Sequence, residues 1–275
     1  MSIDREDYAE PVCPFETDQW RSEPAVRSIP VSRIIEKLDD DYRRLDYNAA
    51  INLIRYWLEE AVNGRDLKGE FSLRNELVGI YRKLGRKNES ISNALRSLSL
   101  IHRMDAHGTV SEGTALVNTA TAYKAFGMPA ESLGYFERAL PIYEASLKPE
   151  DGRLGGLYNN MALTLADLKR YDESEKMFLK ALKVMEQVRG SEPEQAVTCL
   201  NLADLAALRC GLEEAEEQIT DYCTRAVSLL DTETLPRDGN YAYYCSQCAP
   251  VLGYYGFFAA EEDLLNRAEE IRKER

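Results

Sequence analysis

Apolar residues recur at three- and four-residue spacing along most of the chain, with polar residues between them. This spacing predicts amphipathic α-helices, because residues three and four apart share one helix face. Small residues recur on the same stripes: the motif Ser-x3-Phe-x2-Ala occupies residues 132–139 and again residues 174–181. Small side chains let two helices approach closely, so the pattern predicts packed helix pairs.

The helix pairs form an internal repeat of just over forty residues. Asn118, Asn160 and Asn201 occupy equivalent places in three aligned segments, 42 and then 41 residues apart. Each segment is followed by a Gly or polar break and then by a second helical pattern. The alignment extends backwards through residues 34–97 and forwards through residues 241–271. The sequence therefore predicts six helix-turn-helix pairs.

These units resemble the tetratricopeptide repeat, whose helix pair carries a large residue, a Leu-Gly-like pair, a Tyr and then Ala-x3-Phe. The resemblance covers about residues 31 to 273. A repeat longer than the usual ~34 residues, with an Asn just before the Leu/Met-Ala pair of the first helix, is similar to the kinesin-light-chain type. The resemblance implies an all-α, right-handed superhelical solenoid of about six pairs.

Two domain-level segments are predicted. Residues 1–30 contain four prolines and form a non-helical extension, and Phe15 and Trp20 give it more apolar surface than a linker usually holds. We expect this extension to dock as a cap on the first helix pair; insertion into a groove and disorder are the alternatives. Residues 31–275 form a single solenoid, and residues 261–275 form its polar capping helix.

Local signals mark helix boundaries. Ser191 and Glu194 have the spacing of a capping box at a helix start. Pro141 and Pro250 lie inside helical patterns, where proline removes a backbone hydrogen bond. We expect those two helices to be kinked or interrupted.

Charge and hydropathy exclude several classes of protein. The chain has 47 acidic and 34 basic residues, a net charge of −13, which opposes binding to a phosphate backbone and argues against a nucleic-acid partner. The sequence contains no run of about 18 apolar residues, the length that a membrane-spanning helix needs, and its first residues lack the pattern of a signal peptide. These features predict a cytoplasmic protein without a membrane partner.

The sequence lacks most of the motifs that are typical of enzymes. It has no phosphate-binding glycine loop and no nucleophile-elbow motif. His102 and His107 are five residues apart and so not on one helix face, which argues against a paired-imidazole metal site. Cys245 and Cys248 form a Cys-x-x-Cys motif, interpreted as buried, reduced and metal-free, with redox or metal chemistry as the alternative. We predict no enzyme, no catalytic residue, no metal and no cofactor.

Aromatic residues are concentrated near the C-terminus, within residues 241–258. Either the last repeat is densely packed, or the cluster is a self-association surface that makes a homo-oligomer. The members are Tyr241, Tyr243, Tyr244, Tyr254, Tyr255, Phe257 and Phe258.

The resemblance places the candidate site on the inner faces of the first helices, which line a concave groove in such solenoids. The groove is expected to be basic in the second and third pairs and acidic in the fourth and fifth. It should therefore hold the acidic part of a peptide near Arg82, Lys83 and Lys124, and any basic part near Asp167 and Asp204. The candidate groove residues are Asn75, Arg82, Lys83, Asn118, Thr121, Lys124, Asn159, Asn160, Asp167, Asn201 and Asp204.

The resemblance further implies that Asn118, Asn160 and Asn201 pair with backbone amides of an extended peptide, since an Asn side chain is both donor and acceptor. The alternative is that these amides bridge neighbouring helices or cap local backbone groups. Glu76 stands at the equivalent place in the second pair and interrupts the row. The predicted function is a non-enzymatic protein-interaction module that binds an extended peptide or protein segment. The alternative is a peptide-responsive regulator acting through a separate effector.

Overall fold

The computed structural model describes residues 26–43 and 46–273, and every regular element in those ranges is an α-helix. The predicted six pairs are all present, each made of two consecutive helices. The helices are α1 (Val31–Arg43), α2 (Tyr47–Asn63), α3 (Leu67–Lys83), α4 (Lys87–Arg103), α5 (Val110–Ala125), α6 (Pro129–Ser146), α7 (Gly152–Asp167), α8 (Tyr171–Met185), α9 (Glu192–Cys210), α10 (Glu216–Leu230), α11 (Gly239–Tyr254) and α12 (Phe258–Lys273).

The chain divides into two compact units, and the first (unit 1) ends at Ser146 while the second (unit 2) begins at Leu147. In unit 1, α2 packs on α3 and α4 packs on α5, so consecutive pairs stack. In unit 2, α8 packs on α9 and α9 packs on α11. Each unit has its own apolar core: one surrounds Leu38, Ile54 and Leu73, and the other surrounds Phe178 and Leu202.

A buried serine joins the two helices of the second, third and fourth pairs. The Ser132 hydroxyl donates to the Ala120 carbonyl oxygen at 2.8 Å, and the Ser174 hydroxyl donates to the Ala162 carbonyl oxygen at the same distance. Ser90 makes the equivalent bond to Val78, at 3.0 Å. All three serines are fully buried. We call these bonds the serine ties, because each fixes the first turn of a second helix to its first helix.

Residues 26–29 enter beside the turn between α2 and α3. The Val26 and Arg27 amides donate to the Gly64 carbonyl, and the Ile29 amide donates to the Asp66 carboxylate at 2.9 Å. A Cβ on Gly64 would lie 2.3 Å from the Arg27 carbonyl oxygen, so this approach requires a glycine. The docking predicted for residues 1–30 otherwise falls outside the described residues.

Two boundary expectations need correction, one of them in part. Helix α6 continues through Pro141 and α11 continues through Pro250, so neither proline interrupts its helix, and a kink at either proline stays a prediction. Ser191 makes no capping bond; its hydroxyl donates to the Met185 carbonyl oxygen, and Glu194 instead accepts from a tyrosine of α11. Thr109 caps the start of α5: its hydroxyl accepts from the Glu112 amide, and the Glu112 carboxylate accepts from the Gly108 amide.

Candidate functional site

The candidate residues lie on first helices within each unit. In unit 1 they sit on α3 and α5, two helices that contact each other directly. In unit 2 they sit on α7 and α9, which are also in contact. Most of these side chains are half-buried, whereas Lys83 and Asp167 are exposed.

An amide pair joins the two first helices of unit 1. The Asn118 Nδ2 group of α5 donates to Asn75 Oδ1 of α3 at 2.8 Å. Asn75 in turn donates from its own Nδ2 to the Phe71 carbonyl oxygen, also at 2.8 Å. The predicted residues Asn75 and Asn118 are therefore brought together, and their amide planes are fixed by this chain of bonds.

Unit 2 repeats the arrangement at the corresponding residues. The Asn201 Nδ2 group of α9 donates to Asn159 Oδ1 of α7 at 3.3 Å. The Thr198 hydroxyl donates to the same oxygen at 3.2 Å. The two amide pairs thus have the same construction, although they lie in different units.

The pairing is staggered by one residue, and Asn160 takes no part in it. Asn75 and Asn159 each stand one position before the aligned row, and each accepts from the row asparagine of the next repeat. Asn160 donates to the Gly156 carbonyl oxygen of its own helix, at 2.9 Å.

Other candidate residues are engaged within their units. The Thr121 hydroxyl donates to the Val117 carbonyl oxygen of its own helix at 2.7 Å. The Lys83 ammonium lies 5.9 Å from the centre of the Tyr42 ring. Arg82 and Lys83 end α3, and Lys124 stands in the last turn of α5, where a positive charge complements the helix dipole.

The acidic part of the predicted site is only partly available as a charged surface. Asp204 accepts from the Tyr255 hydroxyl at 2.7 Å, and burial raises the pKa of its carboxyl while this bond opposes the rise. Burial, followed by the bond to Asp204, raises the pKa of the Tyr255 phenol. Asp204 therefore joins α9 to α11 within unit 2, and Asp167 is the exposed acid of the set.

Tyrosine–carboxylate bonds between neighbouring repeats were not predicted. In unit 1 the Tyr42 hydroxyl donates to Glu76 at 2.9 Å, so the residue that interrupts the asparagine row serves a neighbouring helix. In unit 2 the Tyr244 hydroxyl donates to Glu194 at 2.8 Å. The only sequence signal was the aromatic concentration near the C-terminus, and it did not identify the acidic partners.

The C-terminal aromatic cluster is divided between packing and exposure. Tyr241 is buried, whereas Tyr243, Tyr254 and Phe258 have exposed fractions of 55%, 71% and 69%. Phe258 also lines an open cavity of about 530 Å³ with residues of α10. Dense packing therefore accounts for part of the cluster, and self-association remains a prediction for the exposed part.

The cysteine motif lies in the core of unit 2. Cys245 and Cys248 of α11 are both buried. Burial raises the pKa of the Cys248 thiol to about 12 and also raises that of Cys245, which disfavours the reactive thiolate. Their buried position matches the structural interpretation, while the absence of a metal stays a prediction.

The two histidines do not stand apart as their spacing suggested. His102 lies in the last turn of α4, but His107 lies beyond the helix end, in the turn that leads to α5. The turn bends back so that His102 Nδ1 and His107 Nε2 are 3.4 Å apart. Helix-face spacing was the wrong criterion, because only one of the two residues is helical.

None of the helices in the described ranges is both long enough and apolar enough to span a membrane.

Comparison with known proteins identifies the repeat. A family model described as the tetratricopeptide repeat matches residues 154–226. No curated protein matches the chain.

Several solved structures share the fold. One contains the nearly identical TPR-like repeats assigned to a kinesin light chain of Podosopora anserina, with 15% identity and a TM-score of 0.51, over 73% of this chain and 94% of that chain. The apo form of RapI matches with 14% identity and a TM-score of 0.55, over 89% of this chain and 98% of its own. A Rap protein complexed with competence and sporulation factor matches with 13% identity and a TM-score of 0.54, over 89% and 74%. These likenesses confirm the predicted fold class, an all-α helical repeat.

Proposed function

We propose that this chain, whose residues 154–226 match the tetratricopeptide repeat and whose fold is an all-α helical repeat, is a protein-interaction module that binds an extended polypeptide segment on the first-helix face of a unit. The observation that carries the proposal is the amide pair, which occurs with the same stagger in unit 1 and in unit 2. A structure of similar fold was solved with competence and sporulation factor, which supports a binding role for such a scaffold.

The amide pair of unit 1 is compatible with both alternatives raised by the sequence. It bridges neighbouring helices, because Asn118 uses one N–H to reach Asn75. A primary amide has two N–H donors and an acceptor oxygen, so this bond leaves Asn118 Oδ1 to accept a backbone N–H from a bound segment. Fixing the amide plane in advance lowers the entropy lost on binding. The bridge therefore preorganises the recognition group.

The charges of unit 1 favour a segment that carries acidic residues. Arg82, Lys83 and Lys124 stand near the C-terminal ends of the same two helices that carry the amide pair. They provide a local basic surface on a chain whose net charge is −13. Such complementarity mainly steers and orients a partner, so we expect charge to control the association rate more than the affinity.

A peptide array tests this proposal in the full chain. Twelve-residue synthetic peptides with acidic residues at varied positions are screened, and the tightest binder is measured by fluorescence anisotropy. Asn118→Ala is expected to weaken that binder by about 1–3 kcal/mol, which is roughly 5- to 150-fold in Kd, because a backbone amide loses its partner.

Asn93→Ala is the matched control for this experiment. Asn93 is also half-buried, but it lies on the second helix α4, where it donates to the Glu89 carbonyl oxygen and accepts from Arg74. It should leave peptide affinity unchanged while causing a comparable loss of internal hydrogen bonds. Equal affinities for Asn118→Ala and the unsubstituted chain, or equal losses in both variants, would contradict the proposal.

A further inference from the structure

The turn between α4 and α5 arranges two imidazoles and a carboxylate in a line. His102 Nδ1 is 3.4 Å from His107 Nε2, and His107 Nδ1 is 3.2 Å from Glu112 Oε1. The ring centres of the two histidines are 5.7 Å apart. Both histidines are exposed, so the line is accessible from solvent.

Glu112 is held firmly and so fixes the second imidazole. It is buried, with an exposed fraction of 9%, and its Oε2 accepts from the Gly108 amide at 2.7 Å. The Thr109 hydroxyl caps α5 by accepting from the Glu112 amide. A carboxylate at His107 Nδ1 selects the tautomer with hydrogen on that nitrogen, which leaves the Nε2 lone pair directed towards His102.

We propose that His102 Nδ1 and His107 Nε2 together bind one divalent late transition-metal ion, such as Zn²⁺, Ni²⁺ or Cu²⁺. Two nitrogen ligands at about 2.0–2.1 Å from a tetrahedral zinc ion are roughly 3.3–3.4 Å from each other. The observed separation of 3.4 Å matches that distance. The two nitrogens face each other in the structure, so binding turns the exposed His102 ring until its Nδ1 lone pair and the Nε2 lone pair of His107 point to a common ion.

The proton balance of binding is simple. Without the ion, one imidazole proton lies between Nδ1 of His102 and Nε2 of His107. When the ion binds, that proton moves to the Nε2 atom of His102, so the imidazole stays neutral and becomes a ligand through Nδ1. The carboxylate of Glu112 keeps its bond to His107, which gives the carboxylate–histidine–metal arrangement common in metalloproteins.

The chemistry of the ligands selects the class of ion. Imidazole suits zinc, copper and nickel, whereas magnesium and calcium prefer oxygen ligands. Within residues 26–43 and 46–273 no group of three or more His, Cys, Asp or Glu side chains could hold a metal ion. The bound ion therefore completes its coordination with water or with a donor from a partner. This proposal replaces the expectation drawn from the spacing of the histidines.

Zinc titration of untagged, chelator-stripped full chain tests the site by calorimetry. His102 and His107 are the only histidines of the protein, so any imidazole-dependent binding must come from this pair. Cys210, which is the exposed thiol among the described residues, and Cys13 are first replaced by Ser to remove competing ligands. We expect a saturable step of one ion per chain, which His102→Ala and His107→Ala each abolish.

Two further variants distinguish ligation from general attraction to the loop. Asp105→Asn removes a nearby exposed carboxylate at a residue with φ of 51°, a conformation that Asn accepts, and should leave zinc affinity unchanged. Glu112→Gln should weaken zinc binding by about 10- to 100-fold, the usual effect of losing an outer-shell carboxylate. The ¹⁵N shifts of the His107 ring should show loss of the preferred tautomer in the same variant.

Thermal melts followed by circular dichroism establish that each variant is folded before titration. The absence of a saturable zinc step in the starting protein would overturn the proposal. So would a step that survives in His107→Ala, or one that disappears in Asp105→Asn.

Discussion

The third and fifth helix pairs are built on the same pattern but are connected differently. Asn118 and Asn201, in their first helices, each donate to an asparagine of the preceding repeat. In the third pair Ser132 also ties the second helix to the first, whereas the aligned residue of the fifth pair is Ala215, which has no hydroxyl. Bonds between repeats and bonds within a pair are therefore independent features of the fold.

The missing tie coincides with a later helix start. Helix α6 begins at Pro129, three residues before its serine, while α10 begins at Glu216, just after Ala215. The residues before α10 form turns. The comparison predicts that a tie within the pair stabilises the first turn of the second helix, whereas the amide pair joins first helices only.

The largest expected effect comes from removing the apolar residue four positions after the tie. Phe136→Ala should destabilise the third pair by about 3–5 kcal/mol, because this ring is fully buried, and Ile219→Ala should cost about 2–5 kcal/mol in the fifth pair. Hydrogen exchange resolved to α6 and to α10 measures the two losses of stability separately. A local measurement is needed because the repeats of such a protein can unfold independently. Leu208→Ala, at a residue with an exposed fraction of 62%, is the control and should change stability by less than about 0.5 kcal/mol.

A smaller effect is expected from the tie itself. Ser132→Ala should cost about 1 kcal/mol, since one buried hydrogen bond is lost and the Ala120 carbonyl stays bonded within its helix. Protection of α6 amides near the helix start should fall most. Ser146→Ala, an exposed serine at the end of the same helix, should be neutral. If both substitutions have the same effect, the tie does not stabilise the helix start.

The smallest effect should come from installing the tie in the fifth pair. Ala215→Ser places a hydroxyl at the position that Ser132 and Ser174 occupy in their pairs, twelve residues after the Ala203 carbonyl. We expect a gain of about 0.5 kcal/mol and new protection of amides just before Glu216. A loss of stability would show that the turn before α10 holds residue 215 away from that carbonyl. The missing serine would then not be the reason that α10 begins at Glu216.

The sequence was sufficient to predict the helix pairs. Their number follows from the aligned asparagines and from the Ser-x3-Phe-x2-Ala motif, since both report which residues must pack inside a pair. The six pairs appear at the predicted places. Helix continuity at Pro141 was not predictable, because local rules describe the cost of a proline and not the packing that outweighs it.

The candidate site was predicted only in outline. The asparagine row was found by alignment, but the bonds involve Asn75 and Asn159, which lie outside the row by one residue. Periodicity cannot reveal such a stagger, since it depends on how successive first helices are displaced along their axes. The engagement of Asp204 by Tyr255 was missed for a related reason, as the partners are 51 residues apart.

The serine ties have a consequence for how this chain could be lengthened or shortened. Ser90, Ser132 and Ser174 recur every 42 residues, and so do the three carbonyl groups that accept from them. Duplicating or excising a segment of that length leaves every donor twelve residues from its acceptor. A 42-residue segment is therefore the unit that recombination or protein engineering would add or remove to change the number of repeats in the chain.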